Sequence, residues 1–94
     1  MEKVTQDPDT EILAQDLREH EVWELAAIVR VDWENINHAA RPYLDAMLRL
    51  DHVDDWIWQE QGRMICAYFL SNATTWRGHE ARLVKAELRR RLAR

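Results

Sequence analysis

The chain has 94 residues, 47% apolar and 32% charged, with 13 basic against 17 acidic side chains, two Gly, two Pro, one Cys and five Trp. That length holds a single domain, and the apolar share excludes disorder over most of it. A lone Cys excludes an intrachain disulfide framework and a Cys-based zinc cage, and no apolar run approaches the ~20 residues needed to cross a bilayer.

Gly and Pro are too scarce to supply the regularly spaced turns of a sandwich or barrel, so an all-α fold is expected. Residues 1–6 read as a flexible tail. Asp7 then N-caps a helix with Pro8 at its first position, Asp9 and Glu11 in the first turn, and Ile12, Leu13 and Leu17 as its apolar side. A second helix is expected from about Glu19 to Val31. Val22, Leu25, Ala26 and Val29 line one side, while Trp23, Ala27, Ile28 and Val31 occupy the others, which predicts a central position and a core role for Trp23. The two apolar sides are out of phase, so a bend is expected near His20.

Residues 32–37 read as a connector. The third helix should run from Pro42 to Leu50, with Tyr43, Met47 and Leu50 on one stripe, Leu44 and Leu48 beside it, and Asp45 and Arg49 pointing away. Asp51-His52-Val53-Asp54-Asp55 ends it, and Trp56-Ile57-Trp58 carries no clear helical or strand signal. The fourth helix, about Gln59 to Asn72, contains the apolar run 64–70 and should pair centrally with the second. Asn72 can terminate it, and Thr74 or Thr75 can cap a last helix, which starts near Gly78 with a narrow stripe of Ala81, Val84, Leu88 and Leu92. The expected architecture is a single helical domain over residues 7–94, with compact orthogonal or bundle-like packing of four to five helices.

Pro42-Tyr43-Leu44-Asp45-Ala46-Met47, the stretch Tyr68-Phe69-Leu70-Ser71-Asn72-Ala73-Thr74-Thr75-Trp76-Arg77-Gly78 and the segment Val84-Lys85-Ala86-Glu87-Leu88 resemble small helical proteins of actinobacteria and their phages. The resemblance covers roughly residues 28–92. It implies a small accessory protein of phage or mobile-element type, and it brings no catalytic residues with it.

Catalytic constellations are missing. Glu24 stands four residues after His20, where the HExxH zinc-protease spacing requires a second His. The other histidines are His38, His52 and His79, and the cluster of Asp51, His52, Asp54 and Asp55 lacks the glycine turn and alternation of a calcium loop. Cys66 sits in the most apolar run, Ser71 and Thr74-Thr75 sit at helix ends, and no Gly-rich loop could cradle a phosphate. The expectation is a protein that is not an enzyme and that uses no cofactor or metal.

Two surfaces remain for binding. Through residue 61 the chain holds 15 acidic and 5 basic residues, and from Gly62 onward it holds 2 acidic and 8 basic, giving −10 and +6. These segments either neutralise one another or expose a charged face. On the last helix Arg82, Lys85 and Arg89 share a flank, extended by Arg90, Arg91 and Arg94, which suits nucleic-acid phosphates. The bland alternative is stabilisation of the helix dipole together with a Glu87–Arg91 pair. Trp33, Trp56, Trp58 and Trp76 fall in or near connectors, where burial is harder. Trp56 and Trp58 beside Asp54, Asp55 and Glu60, with Trp76, would form an acidic aromatic surface for a basic protein partner, unless the Trp pair folds back onto the core.

The leading expectation is therefore a non-catalytic protein-interaction module, a phage or mobile-element accessory that modulates a host or defence protein. It would act in the cytoplasm (the host's, if phage-encoded), away from membranes. Nucleic-acid binding through Arg82, Lys85 and Arg89 is the alternative, with self-association as a further possibility.

Overall fold

The computed structural model describes residues 16–94. The expected tail over residues 1–6 and the helix start at Asp7-Pro8 lie outside the described residues. Residues 16–18 are helical, and the helix breaks over residues 19–21, where the phase shift in apolar pattern predicts a bend. Helix α1 (Val22–Asp32) comes next. A short 3-10 turn (His38–Ala40) leads into α2 (Arg41–Met47), and a hairpin of β1 (Trp56–Ile57) and β2 (Glu60–Gln61) runs straight into α3 (Gly62–Ser71). Helix α4 (His79–Leu92) closes the fold.

The molecule is mostly helical, but the hairpin corrects the all-α expectation. Trp56 pairs with Gln61 and Ile57 with Glu60, antiparallel, around a loop of Trp58 and Gln59. A tight turn of this kind ordinarily uses glycine where φ is positive, and here Trp58 takes that conformation at φ 55°. Scarcity of Gly therefore did not exclude a turn. Helix α3 in turn starts at Gly62 rather than near Gln59, and α2 gives way to a turn after Met47 although Leu50 is still fully buried.

Packing also departs from the expected central pair. Helix α1 packs on α4 and α2 packs on α3, so neither apolar run lies along the other. Val22, Leu25, Ala26 and Val29 are buried, as their spacing requires, but Val31 is 87% exposed and Trp23, expected in the core, is 42% exposed. Likewise Ile65, Cys66 and Phe69 are buried on α3 while Met64 and Tyr68 face outward. In so small a domain each helix has only one covered side, whatever the rest of its circumference carries.

The helices meet through three aromatic side chains instead. Trp33 and Trp76 stack with ring centroids 6.1 Å apart, and Phe69 meets both edge-on at 6.3 and 6.5 Å. Trp76 satisfies its indole N–H by donating to Asp32 Oδ2 at 2.8 Å, which allows complete burial.

Backbone groups at the other end are tied down over long sequence distances. The amides of Val22 and Trp23 donate to the carbonyls of Asp51 and Leu50 at 3.0 and 2.9 Å, so the start of α1 is capped by the loop after α2. Arg91 Nη2 donates to the carbonyls of Leu17 and His20 at 2.9 and 2.6 Å, and Arg63 Nη1 reaches the carbonyls of Arg91 and Leu92 at the end of α4.

Candidate interaction surfaces

The hairpin tip holds the two most exposed tryptophans. Trp58 is 80% and Trp56 is 64% exposed, while Ile57 between them packs against the core. Alternation along a strand accounts for this split. The tip is braced from below: Gly62 N–H donates to the Asp55 carbonyl at 2.7 Å, and the Asp55 carboxylate accepts the amides of His52 at 2.9 Å and Asp51 at 3.2 Å. Arg49 lies over the Trp58 ring, 5.6 Å from its centroid.

The sequence-predicted partner residues therefore divide. Trp56, Trp58 and Asp54 are exposed. Asp55 is turned inward to cap the loop, and Trp76 is buried in the aromatic cluster, which removes it from any binding surface. Asp54 accepts Arg63 Nε at 2.7 Å. That hydrogen bond, set against a smaller opposing effect of burial and helped by the charges of Arg63 and His52, holds its carboxyl below the ordinary value. Met64 and Tyr68, one turn apart on α3, add exposed apolar area that sequence reasoning placed inside, and Tyr68 packs on Tyr43 of α2 at 5.4 Å. The i,i+4 spacing of Met64 and Tyr68, out of phase with Ile65, Cys66 and Phe69, was the available signal.

A second surface is basic. A notch of about 450 Å³ along α4 is lined by Arg77, Arg82, Lys85 and Arg89 together with Trp76, Gly78 and Ala81. Lys85 Nζ donates to the Trp76 carbonyl at 2.6 Å and sits 5.8 Å from that indole's centroid. Desolvation, then the charges of Arg89 and Arg77, lower its pKa. Arg77 was missed in the sequence because it lies off the helix, and only the fold brings it to Arg82, Lys85 and Arg89. Arg90 and Arg91 do not extend this surface: both are engaged by Glu87, with N···O distances of 2.6–3.0 Å.

Other chemistry-bearing groups are occupied structurally. Burial pushes the Cys66 thiol up to about 12, against a lesser opposing pull from the Arg91 charge, so it is no thiolate at neutral pH. Among the described residues, no group of three or more His, Cys, Asp or Glu side chains converges to hold a metal ion, and no helix is long and apolar enough to cross a membrane. No family model, curated protein or solved structure matches the chain.

Proposed function

We propose that this protein is a non-catalytic interaction module that docks a basic protein surface through Trp56 and Trp58. One observation carries the reading: a bulky indole occupies the turn position that favours glycine, and it is held out in water rather than packed. Folding alone gains little from that arrangement, because positive φ costs an L-residue roughly 1–2 kcal/mol and an exposed ring recovers little of it. Tryptophan in a polar rim is the typical anchor of a protein interface. The rim carries the Glu60 carboxylate, exposed beside the indoles, while Asp54 is engaged by Arg63 and Arg49 is turned onto the Trp58 ring. The resemblance of residues 28–92 to small helical proteins of actinobacteria and their phages implies an accessory role, for which a host or defence protein is the expected partner.

The test is quantitative affinity capture from nuclease-treated lysate with two baits, the natural chain and a Trp56→Ser/Trp58→Gly variant. Capture of a specific protein should fall about thirtyfold or more with the variant, the effect of removing a hot spot worth ~2 kcal/mol. Equal recovery with both baits would refute the assignment. Light scattering at micromolar concentration separates this from self-association, which predicts a doubled mass for the natural chain and a single mass for the variant.

Nucleic-acid binding through Arg82, Lys85 and Arg89 is the second reading, and the basic notch supports it. It predicts a gel shift at low salt that weakens steeply as salt rises.

A further inference from the structure

We infer that the notch formed by Arg77, Arg82, Lys85 and Arg89 is a binding site for the phosphate or diphosphate group of a compact ligand, distinct from the tryptophan hairpin. Arg82, Lys85 and Arg89 stand at i, i+3 and i+7 on α4, so they share one face, and Arg77 approaches from the preceding loop. No acidic side chain lines the notch. Four cations with no carboxylate set between them repel one another, and an anion seated between them removes that repulsion; the carboxylates of Asp32 and Glu34 lie in the adjoining depression, on the other side of Arg77. Lys85 is already held: its ammonium spends one donor on the Trp76 carbonyl and keeps two for a ligand. The guanidinium groups of Arg77 and Arg82 can each present paired N–H donors to phosphate oxygens.

The neighbourhood selects against an extended polyanion. The chain's net charge is −4 while the notch holds four positive charges, so the remainder carries −8. Arg90 and Arg91 are paired with Glu87, and Arg63 with Asp54, so these three cations are spent on carboxylates, while Arg94 lines a different depression together with Glu19, Glu21, Asp51 and Asp54. A duplex reaching past Arg77 meets Asp32 and Glu34 of the adjoining depression, whereas one or two phosphoryl groups fit among the cations that line the notch itself. This is narrower than nucleic-acid binding through the α4 face, and the two separate by experiment.

The probe is inorganic pyrophosphate, titrated into the isotope-labelled full chain at low ionic strength and followed by two-dimensional NMR, with sodium chloride at matched ionic strength as the control. The expected result is saturable shifts centred on residues 77–89. An Arg77→Gln/Arg82→Gln variant should keep the helical content and weaken pyrophosphate binding at least tenfold, since both side chains are exposed and hydrogen bonds to charged groups are lost. Shifts that match those from chloride, or an affinity that the variant leaves unchanged, would overturn the site. A 20-base-pair duplex bound more tightly than pyrophosphate at 0.15 M salt would also overturn it, in favour of nucleic-acid binding.

Discussion

Glu87 keeps its charge in the interior because three guanidinium N–H groups reach it, two from Arg90 and one from Arg91. Burial pushes its carboxyl up, but those hydrogen bonds and the charges of both arginines outweigh the push and leave it below the ordinary value. A depressed carboxyl contributes stability above the unfolded-state value of about 4.3 and loses it as pH falls through the lower folded value. Glu87→Gln should therefore cost about 2 kcal/mol at pH 7, because Arg91, which also holds the Leu17 and His20 carbonyls, is left without its counter-charge. Urea unfolding over the range from pH 7 to pH 3 checks this, and the gap between the two proteins should narrow as the pH falls. Cys66 makes a second prediction at this scale. Its thiol should resist a disulfide reagent in the native protein at pH 8 and react at the unfolding rate on addition of denaturant, whereas fast native labelling would contradict its burial. The i,i+4 pairing of Glu87 with Arg91 was legible from spacing alone. The additional hold of Arg91 on the Leu17 and His20 carbonyls was not, because it spans more than seventy residues.

Among the elements, helix positions were the most readable part of the chain. The buried set Val22, Leu25, Ala26 and Val29 and the stripe Ala81, Val84 and Leu88 come directly from 3.6-residue periodicity. Helix partners were not readable, because an apolar run such as 64–70 records only that burial is available, and the chain used one side of it. Trp33 and Trp76 went unrecognised as core because connectors usually lie in water. Here an indole N–H bond to Asp32 and three-way aromatic packing bury Trp76 and Trp33, although Thr74, Thr75, Arg77 and Gly78 around Trp76 stay exposed. The hairpin was missed because two-residue strands carry no period. Its junction with α3 depends on Gly62, where a Cβ would lie 2.7 Å from the Val53 carbonyl oxygen and 3.1 Å from that of His52. Both neighbours are backbone, so Gly62→Ala should destabilise the fold by about 1–3 kcal/mol, as overpacking does. Thermal unfolding measures it, and an unchanged midpoint would mean that the 52–53 loop can move aside.

Across the full molecule, the opposite charges of the two segments are only partly spent on each other. Asp54 with Arg63 joins them, but the other ion pairs among the described residues lie within α4, and the cations of the notch remain gathered on one face. The sequence carried the charge asymmetry, and the fold decided which cations converge. The same holds for the tryptophans: composition marked five as a surplus, while the backbone buried two and set two on a hairpin tip. If Trp56 and Trp58 serve recognition rather than folding, removing both should leave the fold intact, and urea unfolding of the Trp56→Ser/Trp58→Gly variant decides the matter. Relief of positive φ at residue 58 offsets the lost Arg49 contact, worth about 0.5–1 kcal/mol, and the greater freedom of unfolded glycine. A recognition role predicts an unchanged slope and a stability between that of the natural chain and about 1 kcal/mol above it. A loss greater than about 1.5 kcal/mol, well beyond what exposed side chains ordinarily cost, would show instead that the indoles hold the fold together.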